Sequence, residues 1–326
     1  VYKRQGKSSL VMDVLAQETK RRTDAGKRGR GRPRKDDDEN GRVSPRLCQS
    51  VEGADLISRV LVVDQSPIGR SPRSNPATYT KVWDDVRKFY ALLPTSRIKG
   101  FGPDRFSFNA KTGRCEACKG EGATLVNMHF MSDVWIPCEL CRGLRFNQET
   151  LEVRYRGLHV GDLLNTEVDE ALELFSEHPR IEKVLTVMRE VGLGYMKLGQ
   201  SSTTLSGGEA QRVKLAAELV KGRQDGALYI LDEPTTGLHF DDVRRLLEVL
   251  EQLIDRGATV VVVEHNLDVV TASDYVIDIA PDGGVDGGQV VASGTPEEIA
   301  SNEGSVTGRY LNALLEARLG RIGHDH

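Results

Sequence analysis

The sequence predicts an α/β fold on a mainly parallel sheet with a small metal module inserted in it, and three observations carry that expectation. Short, β-branched apolar runs at 227–231 and 259–263 alternate with amphipathic stretches at 208–221 and 241–256, as when crossover helices bury strands on both faces. Another apolar run, at 57–64, lies far upstream, and two shorter strands are expected near 275–279 and 289–292. Between the upstream run and the alternating region fall two Cys-x2-Cys pairs, Cys115/Cys118 and Cys138/Cys141.

Composition narrows the function classes. The 326 residues are 39% hydrophobic, enough for one large or two modest domains with a buried core. The longest apolar runs, Ala227–Leu231 and Thr259–Val263, are far shorter than the roughly 20 residues that cross a bilayer, and no signal-peptide pattern opens the chain. A cytoplasmic protein with no membrane partner is therefore expected. The net charge of -4 requires any nucleic-acid binding to come from local basic patches. Four of the five cysteines sit in pairs, which suits metal ligation in a reducing compartment and leaves Cys48 as an unpaired thiol.

The elements follow in order. A helix over Ser8–Arg22 runs into KRRTDAGKRGRGRPRKDDDENGR, a charged low-complexity stretch expected to be disordered. Within it, Arg30-Gly31-Arg32-Pro33 reads either as solvated chain or as the core of an AT-hook for a minor groove. The 57–64 strand ends at Gln65, and a Pro/Ser/Gly-rich loop follows. Helical spacing over 79–93 places Val82, Val86, Phe89 and Tyr90 on one face, with Pro94 as the stop. A further helix is expected over 168–191, then a glycine-rich connector at 192–199.

Phosphate chemistry is suggested at two places. Gly6-Lys7-Ser8-Ser9 matches the end of a P-loop, whose amides and lysine cradle phosphates while the Ser8 hydroxyl holds magnesium. The full GxxxxGK[ST] pattern would put glycine at Val1, so Val1–Gln5 read as non-native sequence at a truncation point, and an ordinary helix start is the alternative. The second place is Leu205-Ser206-Gly207-Gly208-Glu209, where paired glycines admit a phosphate to a helix N-terminus. The strand at 227–231 ends in Asp232 and Glu233, an arrangement that sets one acid near magnesium and another beside an attacking water. His265 follows the next strand.

The cysteine pairs stand 19 residues apart, a spacing that suits a closed tetrahedral zinc site, structural because no coordination position stays open. Around them lie Arg105, Lys111, Arg114, Lys119, Arg142 and Arg145, interleaved with Phe101, Phe106, Phe108, Phe130, Trp135 and Phe146. Basic groups neutralise phosphates and aromatics stack on bases, so this is a candidate DNA surface. The alternative is that most of these aromatics form the core of the metal module.

The ordered set resembles the ABC ATPases: LSGGE looks like their signature, LYILDEP like Walker B, Thr236-Gly237-Leu238-His239 like the D-loop, Gln65 like the Q-loop glutamine and His265 like the switch histidine. This resemblance implies that Gly6, Lys7, Ser8 and Ser9 bind ATP and Mg2+, with Gln65 and Asp232 completing the metal and water network. Glu233 would be the general base, and His265 would sense the γ-phosphate. The segments DQSPIGRSPRSNPATYT, RFSFNAKTGRCEACKGEG, MHFMSDVWIPCELCRG and VGLGYMKLGQSSTTLSGGEAQRVKLAAEL further resemble the UvrA family of excision-repair ATPases, over about Leu56–Ala300 and roughly the last third of that family's chain.

The family resemblance implies a protein that dimerises, scans double-stranded DNA for damage and loads UvrB, with ATP held between the P-loop of one half and the signature of another. The chain alone should then be a weak ATPase. The expected organisation is a P-loop remnant and helix (1–22), a charged insertion (23–55), a Q-loop region (56–96), a four-cysteine zinc module (97–150) and a helical signature subdomain (151–204). The signature, Walker B and switch-histidine region (205–300) and a tail (301–326) complete it. Two rivals remain open: the ATPase subunit of an ABC transporter, and a non-catalytic zinc DNA-binding protein.

Overall fold

The computed structural model describes residues 7–26, 48–126, 134–222, 224–280 and 288–322. Gly6, the AT-hook-like 30–33, Phe130 and the last four residues of the tail lie outside the described residues. Strands β1 (Arg59–Val63), β2 (Ala123–Val126), β3 (Val134–Pro137), β4 (Arg154–Tyr155), β5 (Leu158–His159), β6 (Ala227–Asp232), β7 (Thr259–Val263), β8 (Val276–Ala280) and β9 (Gln289–Gly294) are distributed over two compact units. One unit joins 1–63 to 223–326; the other is 64–222.

The first unit is built on a parallel sheet in the order β1-β6-β7, with Val63 opposite Leu231 and Asp232 opposite Val263. β6 lies in the middle, and Ala227–Leu231 are buried without a break, which explains why its sequence does not alternate. The helix Phe240–Asp255 buries Val243, Leu246, Val249, Leu250 and Leu253, spaced by threes and fours, and packs against β7. At the chain's start a π-helical stretch, Ser9–Leu15, continues into the α-helix Ala16–Gly26. Ala16 packs with Leu228 and Ile230, and Val11, Met12 and Leu15 cover the same cluster.

Downstream, β8 and β9 pair antiparallel, and Ala292 forms a small core with Ile299 and Leu311 from the following helices, Pro296–Ala300 and Val306–Ile322. The second of these lies within the stretch read from sequence only as a tail.

In the second unit the helix Val82–Leu92 buries Val82, Trp83, Val86 and Tyr90 and packs against the helix Pro179–Glu190. The single helix expected over 168–191 is two, Val168–Leu174 and Pro179–Glu190. Pro179 is the reason: it has no N–H to continue the first helix, and its fixed φ suits the first turn of the second. Pro94 likewise starts a short helix, Pro94–Ile98, as well as ending one. The hairpin β2–β3 was not legible as strands because nearly all its side chains are exposed, so no apolar alternation marks it.

Candidate functional site

In the first unit the fold joins residues 224 positions apart in the chain. Asp232 closes β6, and the Ser8 hydroxyl donates to its Oδ1 at 2.9 Å. A hydroxyl and a carboxylate at this distance are two hard oxygen donors of the kind that a Mg2+ ion with retained waters accepts. Lys7 and Ser9 flank Ser8 at the start of the helical stretch. Glu233 has a φ of 45°, a left-handed conformation unusual for a side chain with a Cβ, and its N–H donates to the Val263 carbonyl at 2.8 Å. His265 lies in the loop after β7 with its side chain mostly exposed.

Glu264, which motif reading passed over, is buried beside it. Its carboxylate accepts from the Thr235 N–H at 2.8 Å and hydroxyl at 2.6 Å, and from the N–H groups of His265 at 2.9 Å and Asn266 at 3.2 Å. The only sequence signal for it is a charge directly after an apolar strand.

In the second unit the signature begins the helix Gly207–Leu219. Ser206 caps it: its hydroxyl accepts from the Glu209 N–H at 3.2 Å, while the Glu209 carboxylate accepts from the Ser206 N–H at 2.8 Å. Ser206 and Glu209 thereby shape the turn, and the paired glycines occupy the positive end of the helix. Gln65 packs on this turn so closely that a Cβ at Gly207 would stand 3.0 Å from the Gln65 Cβ. Lys214, one turn on, donates to the Asp64 carbonyl at 3.1 Å and the Ser66 hydroxyl at 2.7 Å, and pairs with the Asp64 carboxylate. Burial pushes the Asp64 carboxyl up, but hydrogen bonds from Lys214 and Ser66 and the lysine charge outweigh it and hold the group below its ordinary range. Gln65, Leu205–Glu209 and Lys214 therefore form one packed group. Tyr195, also missed from sequence, donates to the second oxygen of Glu209 at 2.9 Å.

The metal centre lies in the same unit. Cys115, Cys118, Cys138 and Cys141 are buried, and their four sulfurs lie within 4.8 Å of one another. The Cys118–Cys141 separation is 3.6 Å, close to the edge of ~3.8 Å expected for a tetrahedron with Zn–S bonds of ~2.3 Å. Two matched turns present the sulfurs: Lys119 and Gly120 have φ of 52° and 86°, and Arg142 and Gly143 have 50° and 88°. A Cβ at Gly120 would meet the Phe108 carbonyl oxygen at 1.8 Å. The Gly122 N–H donates to Cys118 Sγ at 3.3 Å. Burial pushes the Cys141 thiol up to about 12 in the absence of metal, so a bound zinc ion must displace its proton to hold the thiolate. Donor set, separations and sulfur-facing amides all fit a structural zinc.

Of the six basic residues assigned to a DNA surface, the structure removes one and engages two. Arg145 is buried: its guanidinium donates to the Pro72 carbonyl at 2.7 Å and the Gly199 carbonyl at 2.9 Å, and it faces the Phe108 ring. It braces the interior of the unit, because the side chain is buried and both terminal nitrogens already donate to backbone carbonyls. Arg105 pairs with Glu149, donates to Thr150 at 2.9 Å and lies 4.4 Å over the Phe101 ring. Arg114 is half-buried and donates to the Asn109 carbonyl at 3.4 Å. Lys111, Lys119 and Arg142 are exposed. Phe106, Phe108 and Phe146 belong to the core with Trp83, whereas Trp135 stands partly exposed on the β2–β3 hairpin.

A parallel sheet whose central strand ends in Asp232 beside Ser8, with a glycine-paired signature helix in the same chain, defines an ABC-type ATPase domain. Comparisons with known proteins agree. The model of the ABC transporter family matches residues 139–236. The chain is 56% identical over 268 residues to UvrABC system protein A of Aquifex aeolicus (strain VF5), spanning 82% of this chain and 29% of that protein. It is 51% identical over 311 residues to UvrABC system protein A of Staphylococcus aureus (strain COL), spanning 95% of this chain and 31% of the relative. The crystal structure of UvrA2 from Deinococcus radiodurans matches with a TM-score of 0.76 at 54% identity, over 79% of this chain and 32% of that one. The chain is similar to UvrA proteins over most of its own length and spans about 31% of the length of these relatives. Among the described residues no helix is long and apolar enough to cross a membrane.

Proposed function

We propose that this chain works in ATP-dependent recognition of DNA damage, within a cytoplasmic protein of nucleotide excision repair that dimerises on distorted duplex DNA and loads UvrB. One observation carries this reading beyond generic ATP hydrolysis: a four-cysteine centre is built into the same compact unit as Gln65 and the signature turn. An ABC transporter ATPase needs the nucleotide residues but has no use for that centre.

Each nucleotide-site residue has a chemical part. Ser8 and Asp232, 2.9 Å apart, would hold a magnesium ion, which would supply charge neutralisation to the phosphates. Glu233, carried just beyond the strand end, takes the proton of the attacking water, and His265 donates to the γ-phosphate. Lys7, with Gly6 and Ser9, holds the phosphates. The Gly207–Gly208 turn offers its amides and helix dipole to a nucleotide bound by another ATP-binding half, so hydrolysis needs two halves and this chain alone turns over weakly. The four cysteines would hold a structural zinc, and the turns they anchor carry Lys119 and Arg142, with Lys111 nearby in the chain, for the phosphate backbone.

The test is binding of the full-length protein to a duplex carrying one bulky lesion and to the undamaged duplex, with ATP. Tighter binding to the lesion, with ATP hydrolysis lost in Glu233→Gln, is expected. Indifference to DNA at every salt concentration, with ATP hydrolysis intact, would favour the transporter reading, and failure to bind nucleotide would favour the non-catalytic one.

A further inference from the structure

We propose that Glu264 is a positioning residue of the nucleotide site, a clamp that sets the turn after Glu233 against the loop carrying His265. The proposal rests on the ATPase reading above. Glu264 immediately follows β7, and its side chain is 2% exposed. One carboxylate oxygen accepts the Thr235 N–H and hydroxyl, and the other accepts the N–H groups of His265 and Asn266. Two donors come from the turn after β6 and two from the loop after β7, so a single carboxylate ties both loops together. Its neighbouring ion-pair partner is the His265 ring, 4.0 Å away and mostly in solvent. The carboxylate is therefore stabilised chiefly by fixed backbone and hydroxyl donors.

The sheet does not need this clamp. β6 and β7 are already in register through Asp232 opposite Val263. What lies beyond that register is the pair of loops, and there Glu233 holds a φ of 45°. A side chain keeps such a backbone conformation only where its surroundings over-determine it. Here the Val263 carbonyl takes the Glu233 N–H, the Glu233 carbonyl takes the Thr236 N–H at 3.1 Å, and Glu264 holds Thr235 between them. Glutamine cannot replace the carboxylate: its NH2 would face either the Thr235 pair or the His265–Asn266 pair, donor against donor. Releasing either loop should misplace the group that takes the water proton or the group that senses the γ-phosphate, and leave phosphate binding alone.

The experiment compares the full-length protein with its Glu264→Gln, Thr235→Val and Glu233→Gln variants, measuring ATP turnover, affinity for a fluorescent ATP analogue and amide hydrogen exchange. In Glu264→Gln, kcat should fall about tenfold or more while KM and analogue affinity stay within about threefold; Thr235→Val, losing one hydroxyl donor, should fall less. Exchange at Thr235, His265 and Asn266 should quicken in Glu264→Gln and be slow in the unaltered protein. A kcat within about twofold of the original, or a loss that tracks nucleotide affinity, would overturn the proposal. If Glu264→Gln does not fold, fast exchange at these three amides in the unaltered protein, or an unchanged kcat in Thr235→Val, overturns it. Failure of the ATPase reading is distinguished by absent turnover in the unaltered protein, or by undiminished turnover in Glu233→Gln.

Discussion

Arginine at position 145 shows how far a residue's type can mislead about its part. It stands four residues past the last cysteine of the metal centre, in a stretch whose charges suit a phosphate surface, yet its guanidinium is spent on the carbonyls of Pro72 and Gly199. Arg145→Ala leaves both carbonyls short of a donor inside the protein and opens a gap beside Phe108. A loss of about 3 kcal/mol in unfolding free energy is expected, against about 0.5 kcal/mol or less for Lys119→Ala at the surface. Urea denaturation measures both, and an Arg145→Ala protein of full stability but without DNA affinity would return the residue to the interface. Ser8 and Asp232 illustrate the opposite case. Their types and local motifs suggested a magnesium and phosphate site, and the fold adds the meeting of residues 224 positions apart. Glu264 was invisible because a glutamate after a strand has no motif; only its four donors distinguish it.

At the scale of elements, what could be read depended on burial. β6 and β7 are apolar runs and the helix Phe240–Asp255 has an apolar stripe, so their sequences state their type. The exposed β2–β3 pair has no core face to encode, and at its base the Cys138 N–H donates to the Gly122 carbonyl and the Gly122 N–H to Cys118 Sγ, where a bound zinc would take the place of a core. The Cys115/Cys118 and Cys138/Cys141 turns are correspondingly dependent on zinc, whose structural sites contribute on the order of 10 kcal/mol in isolated fingers. Removing the metal with a chelator should expose all four thiols to a thiol reagent, loosen the hairpin and abolish preference for damaged DNA while nucleotide binding persists. Release should quicken as the pH falls, because protons compete for the thiolates. Retention of lesion preference by the metal-free protein would show that the centre has no part in recognition.

At the scale of the whole chain, a net charge of -4 leaves the proposed attraction for DNA to local clusters of exposed cations. With Arg145 internal and Arg105 and Arg114 engaged, Lys111, Lys119 and Arg142 are what remains of the six. Replacing all three by glutamine should lower the slope of log affinity against log salt by about 2–3, since each phosphate contact contributes ~0.9. An unchanged slope would place the DNA surface elsewhere. Lys119 and Arg142 hold left-handed backbone at matching points of the two metal turns, which points a cation outward from each at some cost in strain.

The sequence by itself determined the α/β class, and it marked out the nucleotide motifs and the four cysteines that the fold clusters. These properties are local: they depend on side-chain periodicity, on glycine where backbone must approach a phosphate or a sulfur, and on ligand spacing along one segment. Tertiary structure alone decided that Ser8 meets Asp232, that Gln65 and Lys214 pack with the signature turn, that Arg145 faces inward and that Glu264 ties two loops together. Each of those facts depends on which distant segments share a donor, an acceptor or a buried volume. Such pairings arise only when the sheet register and the helix packing bring the segments together.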